Sequence, residues 1–401
     1  MTTNVSALKP QPSAKEVLGK IVRNQLFIPL VALFLLIAFN LVTDPGFFKV
    51  SLEPNSAGNL VLSGNLITMI DYASELVILA IGMTLVTSAS GGQDISVGAT
   101  IAIAGSTVLR IVKTQSPDIS GAKFAGIIIV SFLLCVVVSA LFGAFNGALV
   151  AFFKIQPMVA TLILFTAGRS IAAWINNNDN ISINDKRFGY FGNFIPGIAV
   201  PTPVFITVLC LIVIAIVLKV TNLRLYSQAV GINASSSRLN GINPKVIKLL
   251  TFIILGVCVA VCGFIKVSRT SSITYSVIAN NIEMDAILAV ALGGNNLGGG
   301  KFNLTASVLG AYVIQFLTTT LYKFKEIDSS SISAYKAVVV IILIIISAPI
   351  VRRKIDDMKN RREAAKAEAE ALKAEAEALK AAAAEAESIE AASAEAGKET
   401  I

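Results

Sequence analysis

Five runs of this chain are apolar on every side: Leu26–Val42, Ile127–Phe153, Val204–Val220, Val246–Val267 and Ala337–Val351. Each is long enough, or nearly so, to cross ~30 Å of hydrocarbon as a helix. Only 14% of the residues are charged and 55% are hydrophobic, whereas a soluble domain carries about a quarter charged residues. That much apolar side chain exceeds what one globule hides, and a bilayer is the solvent that accepts it. Outer-membrane strands alternate apolar and polar positions over ~10 residues. These runs do not alternate, so the expected fold is an all-α polytopic membrane protein. Residues 1–24 are polar and no small-residue cleavage site follows the first run, which is therefore expected to stay in place as a helix.

About ten transmembrane helices are expected, some broken or short, over residues 25–43, 62–89, 95–112, 123–153, 157–175, 203–221, 246–267, 284–298, 304–322 and 334–351. The second and fourth are long enough to require tilt or a break, and the eighth is short and ends in glycines. Lys9, Lys15, Lys20 and Arg23 precede the first span, Arg224, Arg238, Lys245 and Lys248 follow the sixth, and Arg352, Arg353 and Lys354 follow the tenth. Cytoplasmic loops collect Lys and Arg. All three groups share that side only if six and ten are both even-numbered returns, which they are. Arg110, Lys113 and Lys123 then face outward against the trend.

The chain divides into a cytoplasmic segment 1–24, a transmembrane body 25–354 with a loop at 221–248, and a cytoplasmic tail 355–401. In the tail, EAEALKAEAEALK repeats a seven-residue unit with Leu372 and Leu379 one heptad apart. Ala, Glu and Lys favour helix, and two leucines make a thin coiled-coil seam; a solvated helix and a self-associating one both stay open. Of 33 basic and 25 acidic residues, 10 and 12 lie from Arg352 onward, leaving the body at +10. Those cations are spread through loops rather than gathered beside aromatics, so no nucleic-acid surface is expected.

The chain has no histidine, and its four cysteines fall inside expected spans. No metal site and no catalytic residue are expected. GGKF at 299–302 is not a phosphate loop, because Asn295 and Phe302 stand where that loop needs Gly and Ser or Thr. Within 221–248, Asn233 is placed to cap a short helix over Ala234–Leu239, Gly241 to stop it and Pro244 to open the next span.

Three motifs carry a resemblance. AVGINASSSRLNGIN, GGQDISVGA and MDAILAVALGGNNLGGG, in that family's order over residues 60–350, are similar to segments of the sugar-type permease subunits of bacterial ABC importers, the ribose/galactose/xylose branch. The resemblance implies a permease of about ten helices in the bacterial inner membrane, with both termini cytoplasmic. It implies a second permease subunit, a homodimer being favoured, a cytoplasmic ATPase subunit and an extracytoplasmic sugar-binding protein. The chain itself would hold no cofactor, ATP being bound by the partner. Gly231, Asn233, Ala234, Arg238, Leu239 and Gly241 match the coupling helix that docks on the ATPase. Gln93, where an aliphatic residue is usual, the run Ser235–Ser237 and the tail depart from the family pattern.

For a neutral sugar, amides and hydroxyls suit the route, being donors and acceptors at once. Gln93, Asp94, Ser96, Asn146, Asn295 and Asn296 are the candidates for the translocation path, with Gln156, Thr161 and Gln315 behind them. Each of these also fits a plain helix-to-helix hydrogen bond. Asp94 is further expected to accept from the Ser96 or Val97 amide at the start of the third span. Glycines followed by a small-residue helix occur at 91–106 and again at 293–311, as an internal repeat or as composition alone. Asp71 and Glu75 share one helix face and are expected at a hydrated outer surface, with Arg169, Lys266 and Arg269 at outer helix ends, free for a binding protein or for headgroups. A nucleoside-type permease, a proton-coupled sugar carrier using Asp71, Glu75 or Asp94, and a membrane transferase are the rival classes.

Overall fold

The computed structural model describes residues 26–55, 58–114, 121–324, 328 and 331–347, together with Glu368 and Leu372. The chain divides into two compact units, Met1–Leu343 and Ile344–Ile401. The expected N-terminal segment 1–24 and nearly all of the tail 355–401 lie outside the described residues.

Each of the ten expected segments contains a helix: α1 Phe27–Thr43, α2 Asn65–Ser90, α3 Val97–Lys113, α4 Gly121–Ala151, α5 Pro157–Ile175, α6 Thr202–Thr221, α9 Pro244–Thr270, α10 Ile282–Leu292, α11 Leu304–Tyr322 and α12 Ile332–Ser347. Two more, α7 Leu223–Ile232 and α8 Ala234–Leu239, fill the 221–248 loop. Among the described residues six helices, α2, α4, α5, α6, α9 and α11, are long and apolar enough to cross a membrane. The protein is therefore a helical, multi-pass membrane protein. Neither α2 nor α4 is broken. The 31 residues of α4 extend ~46 Å at 1.5 Å per residue, well beyond ~30 Å of hydrocarbon, so tilt or projection takes up the excess.

Burial sorts the helices. Every residue of α2 from Ala73 to Ala89 is buried, as is every residue of α3 from Val97 to Leu109; both are enclosed by protein on all sides. On α4 the side chains of Leu133, Val137 and Leu141, and on α6 those of Leu209, Ile212 and Ile216, are exposed. Apolar faces of that length turned outward fit lipid, not water. The main core gathers side chains of α2, α9, α10 and α11 around Leu79, Leu85, Phe252 and Ile314.

Membrane helices gain little from hydrophobic exclusion and rely on close approach of small residues. The seam between α4 and α9 shows this. A Cβ added at Gly143 would collide with the Phe252 carbonyl, and one at Gly256 with the Ser139 carbonyl. The expectation that GAFNG lets helices approach is met here. Cys135 is buried in the same seam, its Sγ against the Ala260 carbonyl, and all four cysteines are free.

At one end of the bundle an antiparallel hairpin precedes α2, β1 Ser51–Pro54 with β2 Leu60–Ser63, Ser51 opposite Ser63. It replaces the first turn of the expected second span. Nearby, β3 Ile181–Ser182 pairs with β4 Ser272–Ile273, and a 3-10 turn at Phe188–Phe191 sets two rings against Phe264. In the same loop, hydrogen bonds from Arg187 hold the Asp185 carboxyl below the usual carboxylate range.

The charges at this end are not free, contrary to expectation. Arg269 lies 3.0 Å from Asp71 and 3.2 Å from Glu75, and Lys266 lies 2.5 Å from Glu75. Glu75 is only 2% exposed. Two acids of α2 are thus neutralised by two bases of α9, and Arg169 donates to the Tyr275 and Ile278 carbonyls instead of facing outward. Burial forces this: a charge removed from water must be met inside the protein. Glu75→Ala strands two cations and is expected to cost about 3–5 kcal/mol of stability, read as a lowered melting temperature; an unchanged one would show that the network is solvated.

Candidate functional site

The opposite end of the bundle gathers the three motifs. α2 stops at Gly91, whose φ of +67° is left-handed. The next residues run straight into α3, and the expected Asp94 contact forms there. Its Oδ1 accepts from the Ser96 amide at 2.8 Å and the Ser96 hydroxyl at 2.7 Å. Asn146 of α4 donates from Nδ2 to Asp94 Oδ2 at 3.3 Å and to Ser96 Oγ at 2.9 Å. Thr161 of α5 accepts from the Ile95 amide at 3.1 Å. Asp94, Ser96 and Asn146 are all at least 96% buried. No Lys or Arg among the described residues forms an ion pair with Asp94. Its two oxygens are met instead by three donors, beside the start of α3.

The second glycine segment is built alike. Asn295, after α10, donates to Ser307 Oγ at 2.8 Å and accepts from the Asn303 amide at 2.7 Å, clipping the end of α10 to the start of α11. Asn296 is exposed and closes its own turn by accepting from the Gly298 amide. Gln93 joins the two segments, its Nε2 donating to the Leu297 carbonyl at 2.9 Å. The six expected path residues therefore divide. Asp94, Ser96 and Asn146 form one cluster, Gln93 and Asn295 are bridges, and Asn296 stands outside. Gln156 is exposed and Gln315 half-buried.

Local chemistry builds the 221–248 segment. Asn222 at φ +52° separates α6 from α7. Asn233, extended at φ −155°, accepts from the Ser236 amide at 3.0 Å and so caps α8. Gly241 at φ +79° ends it, and Pro244 opens α9 behind an Asn243 cap. α8 carries Arg238 exposed and Leu239 91% exposed at its tip. Ala234 is half-buried.

One contact was not foreseen. Gly231, in the last turn of α7, lies so close to the Ser88 carbonyl that a Cβ there would overlap it, and the Gly300 nitrogen would be 2.6 Å away. The Gly300 amide itself donates to Ser88 O at 3.0 Å. The end of α2, the turn before α8 and the second glycine loop thus meet backbone to backbone. Gly299–Gly300 and Gly231 were the available signal, but nothing local pairs them. Beside this junction a cleft of about 800 Å³ is lined by Lys154, Gln156, Arg238, Lys245 and Lys248 among others.

The site is thus a short, capped, exposed helix on a multi-pass helical bundle, its approach braced on glycine loops. Residues 65–348 match the family described as branched-chain amino acid transport system / permease component. The chain belongs to that permease family, whose members transport and do not catalyse. It is similar to the galactofuranose transporter permease protein of Escherichia coli K12, 37% identical over 80% of this chain and 88% of the relative. It is also similar to the fructose import permease protein of Bifidobacterium longum NCC 2705, 32% identical over 90% of this chain and 98% of the relative. With the ribose import permease protein of Escherichia coli K12 it shares 31% identity over 81% and 92%. No solved structure matches the chain significantly.

Proposed function

We propose that this chain forms the translocation path of an ATP-binding-cassette importer for a monosaccharide. It works in the bacterial inner membrane with ten crossings and both termini in the cytoplasm. A second copy of the chain completes the path, a cytoplasmic ATPase subunit binds the ATP, and an extracytoplasmic binding protein delivers the sugar. The names of the sugar-permease relatives support the cargo. The observation that carries the energising step is the junction of Gly231 with Ser88 and Gly300.

An importer that borrows its energy needs a lever and two states. α8 is the lever, with Arg238 and Leu239 meeting the ATPase. The last turn of α7, which leads into α8, has no side-chain layer between it and the end of α2 or the second glycine loop, so displacement of α8 reaches both. The loops in turn hold the starts of α3 and α11, with Gln93 and the Asp94 cluster at the edge of the path.

ATP-dependent uptake of labelled pentoses and hexoses into vesicles holding all partners tests the reading, and uptake driven by a proton gradient without the ATPase overturns it. Arg238→Glu is expected to abolish co-purification of the ATPase while the permease keeps its melting temperature. Unchanged complex formation with unchanged uptake would remove Arg238 from the contact.

A further inference from the structure

The cleft beside α8 has a charge that the chain does not balance. Lys154 sits on the turn between α4 and α5, and Lys245 and Lys248 on the first turn of α9. None of the three forms an ion pair with a described carboxylate. The segments that line the cleft, 88–91, 150–157 and 234–248, contain no Asp or Glu. Cations converging on a cleft without acids mark a site for an anion supplied from outside the chain.

A second cavity shows what kind of anion. Between α4 and α5 runs a groove of about 500 Å³ lined only by apolar side chains, including Phe142 and Phe145 of one helix and Ile163 and Ala167 of the other. The two cavities share the same hairpin. Phe152 stands in the turn just after α4, on the way to the cleft, and Lys245 Nζ lies 5.6 Å from its ring centre. Gln156 and Pro157, which line the cleft, stand two turns before Ile163 and Leu164 of the groove. Along α5 the groove reaches from ~9 to ~21 Å above Pro157 at 1.5 Å per residue, the depth of roughly one ~15 Å hydrocarbon leaflet. Phe152 and Phe153 are 49% and 71% exposed at the corner, where aromatic side chains sit at headgroup level.

We infer that the α4–α5 hairpin binds an anionic phospholipid, its phosphate in the Lys154–Lys245–Lys248 cleft and one acyl chain in the Phe145–Ile163 groove. Charge and apolar surface follow one another in the order that a lipid presents them, which neither a free phosphate nor an acidic peptide does.

The test uses the full-length permease in nonionic micelles doped with phosphatidylglycerol or phosphatidylcholine, retained lipid being counted by native mass spectrometry. Phosphatidylglycerol is expected to be held in preference. The triple variant Lys154→Gln, Lys245→Gln, Lys248→Gln is expected to lose it by roughly a hundredfold, about fivefold per cation. Ala167→Trp, filling the groove, is expected to lower retention of both lipids. Should the triple variant aggregate, Lys154→Gln on the exposed turn reads the fivefold step alone. Displacement by inorganic phosphate would assign the cleft to the free anion. Unchanged retention in the lysine variants, with loss of the ATPase subunit, would assign it to that partner. Ala167→Trp that splits a permease dimer while leaving lipid in place would make the groove an interface between copies. Each of these three results overturns the proposal.

Discussion

Gly231→Val is expected to abolish ATP-driven uptake, lowering it on the order of a hundredfold or more, while the ATPase still co-purifies. The added side chain must occupy space held by the Ser88 carbonyl and the Gly300 amide. Backbone atoms cannot rotate aside as a side-chain tip can, so α7 must move and the Gly300-to-Ser88 hydrogen bond must open. Overpacking of this kind costs about 1–3 kcal/mol of stability, too little to unfold a helical bundle but enough to detach the lever from the loops. Gly197→Val, in the loop before α6 and away from α8, is the control: nothing lies within 4 Å of a Cβ there, and only its left-handed backbone is strained, at about 1–3 kcal/mol. Uptake is measured in vesicles, assembly by pull-down and folding by thermal melting. Wild-type uptake by Gly231→Val would show that force reaches the loops elsewhere.

Asp94→Ala is expected to cost about 2–5 kcal/mol, because it removes the shared acceptor and leaves the Ser96 amide and the Asn146 side-chain amide buried without it, at about 1–3 kcal/mol each. Asp94→Asn keeps the shape and one acceptor oxygen, and is expected to fold and to retain ATP-driven uptake. The pair separates an anchor from a proton carrier. A carrier that used Asp94 would lose transport in both variants while the asparagine form kept its melting temperature. An anchor loses stability in the alanine form alone.

The features that were legible in the sequence are those whose cause is local. Three of the apolar runs located α4, α6 and α9, helices of membrane length. An Asn–Ala–Ser–Ser–Ser–Arg–Leu string with a glycine and a proline behind it located α8 to the residue, because capping and stopping a short helix involve neighbours only. The Asp94 turn is of the same kind. What escaped was pairing at a distance. Lys266 and Arg269 lie at the end of an apolar helix, the usual place for cations that meet water or headgroups. Only the packing of α9 on α2 turns them inward to Asp71 and Glu75. Periodicity says which face a residue occupies but not which helix it will meet. α7 escaped for another reason: a single left-handed Asn222 divides it from α6, and Asn is merely tolerated in that conformation, so the residue type announces no break.

The polar residues placed along a route are mostly occupied within the protein, although Asn146 Oδ1 is buried with no hydrogen-bond partner among the described residues. Asn295 saturates its amide on α11 and Gln93 spends its donor on Leu297. A buried amide in a membrane protein must be satisfied by its neighbours whether or not cargo ever passes, so amide content alone does not distinguish a lining from a clasp.

The glycine-and-carbonyl seam between α4 and α9 has a mechanical consequence. Two helices kept apart by long side chains can shear, since rotamers flip and the layer between them flows. Here backbone rests on backbone, and sliding by one residue would drive a Cβ into a peptide oxygen. α4 and α9 therefore travel as one girder. In the proposed transport cycle, deformation falls on other joints: the apolar groove along α5 and the outward apolar faces of α4 and α6.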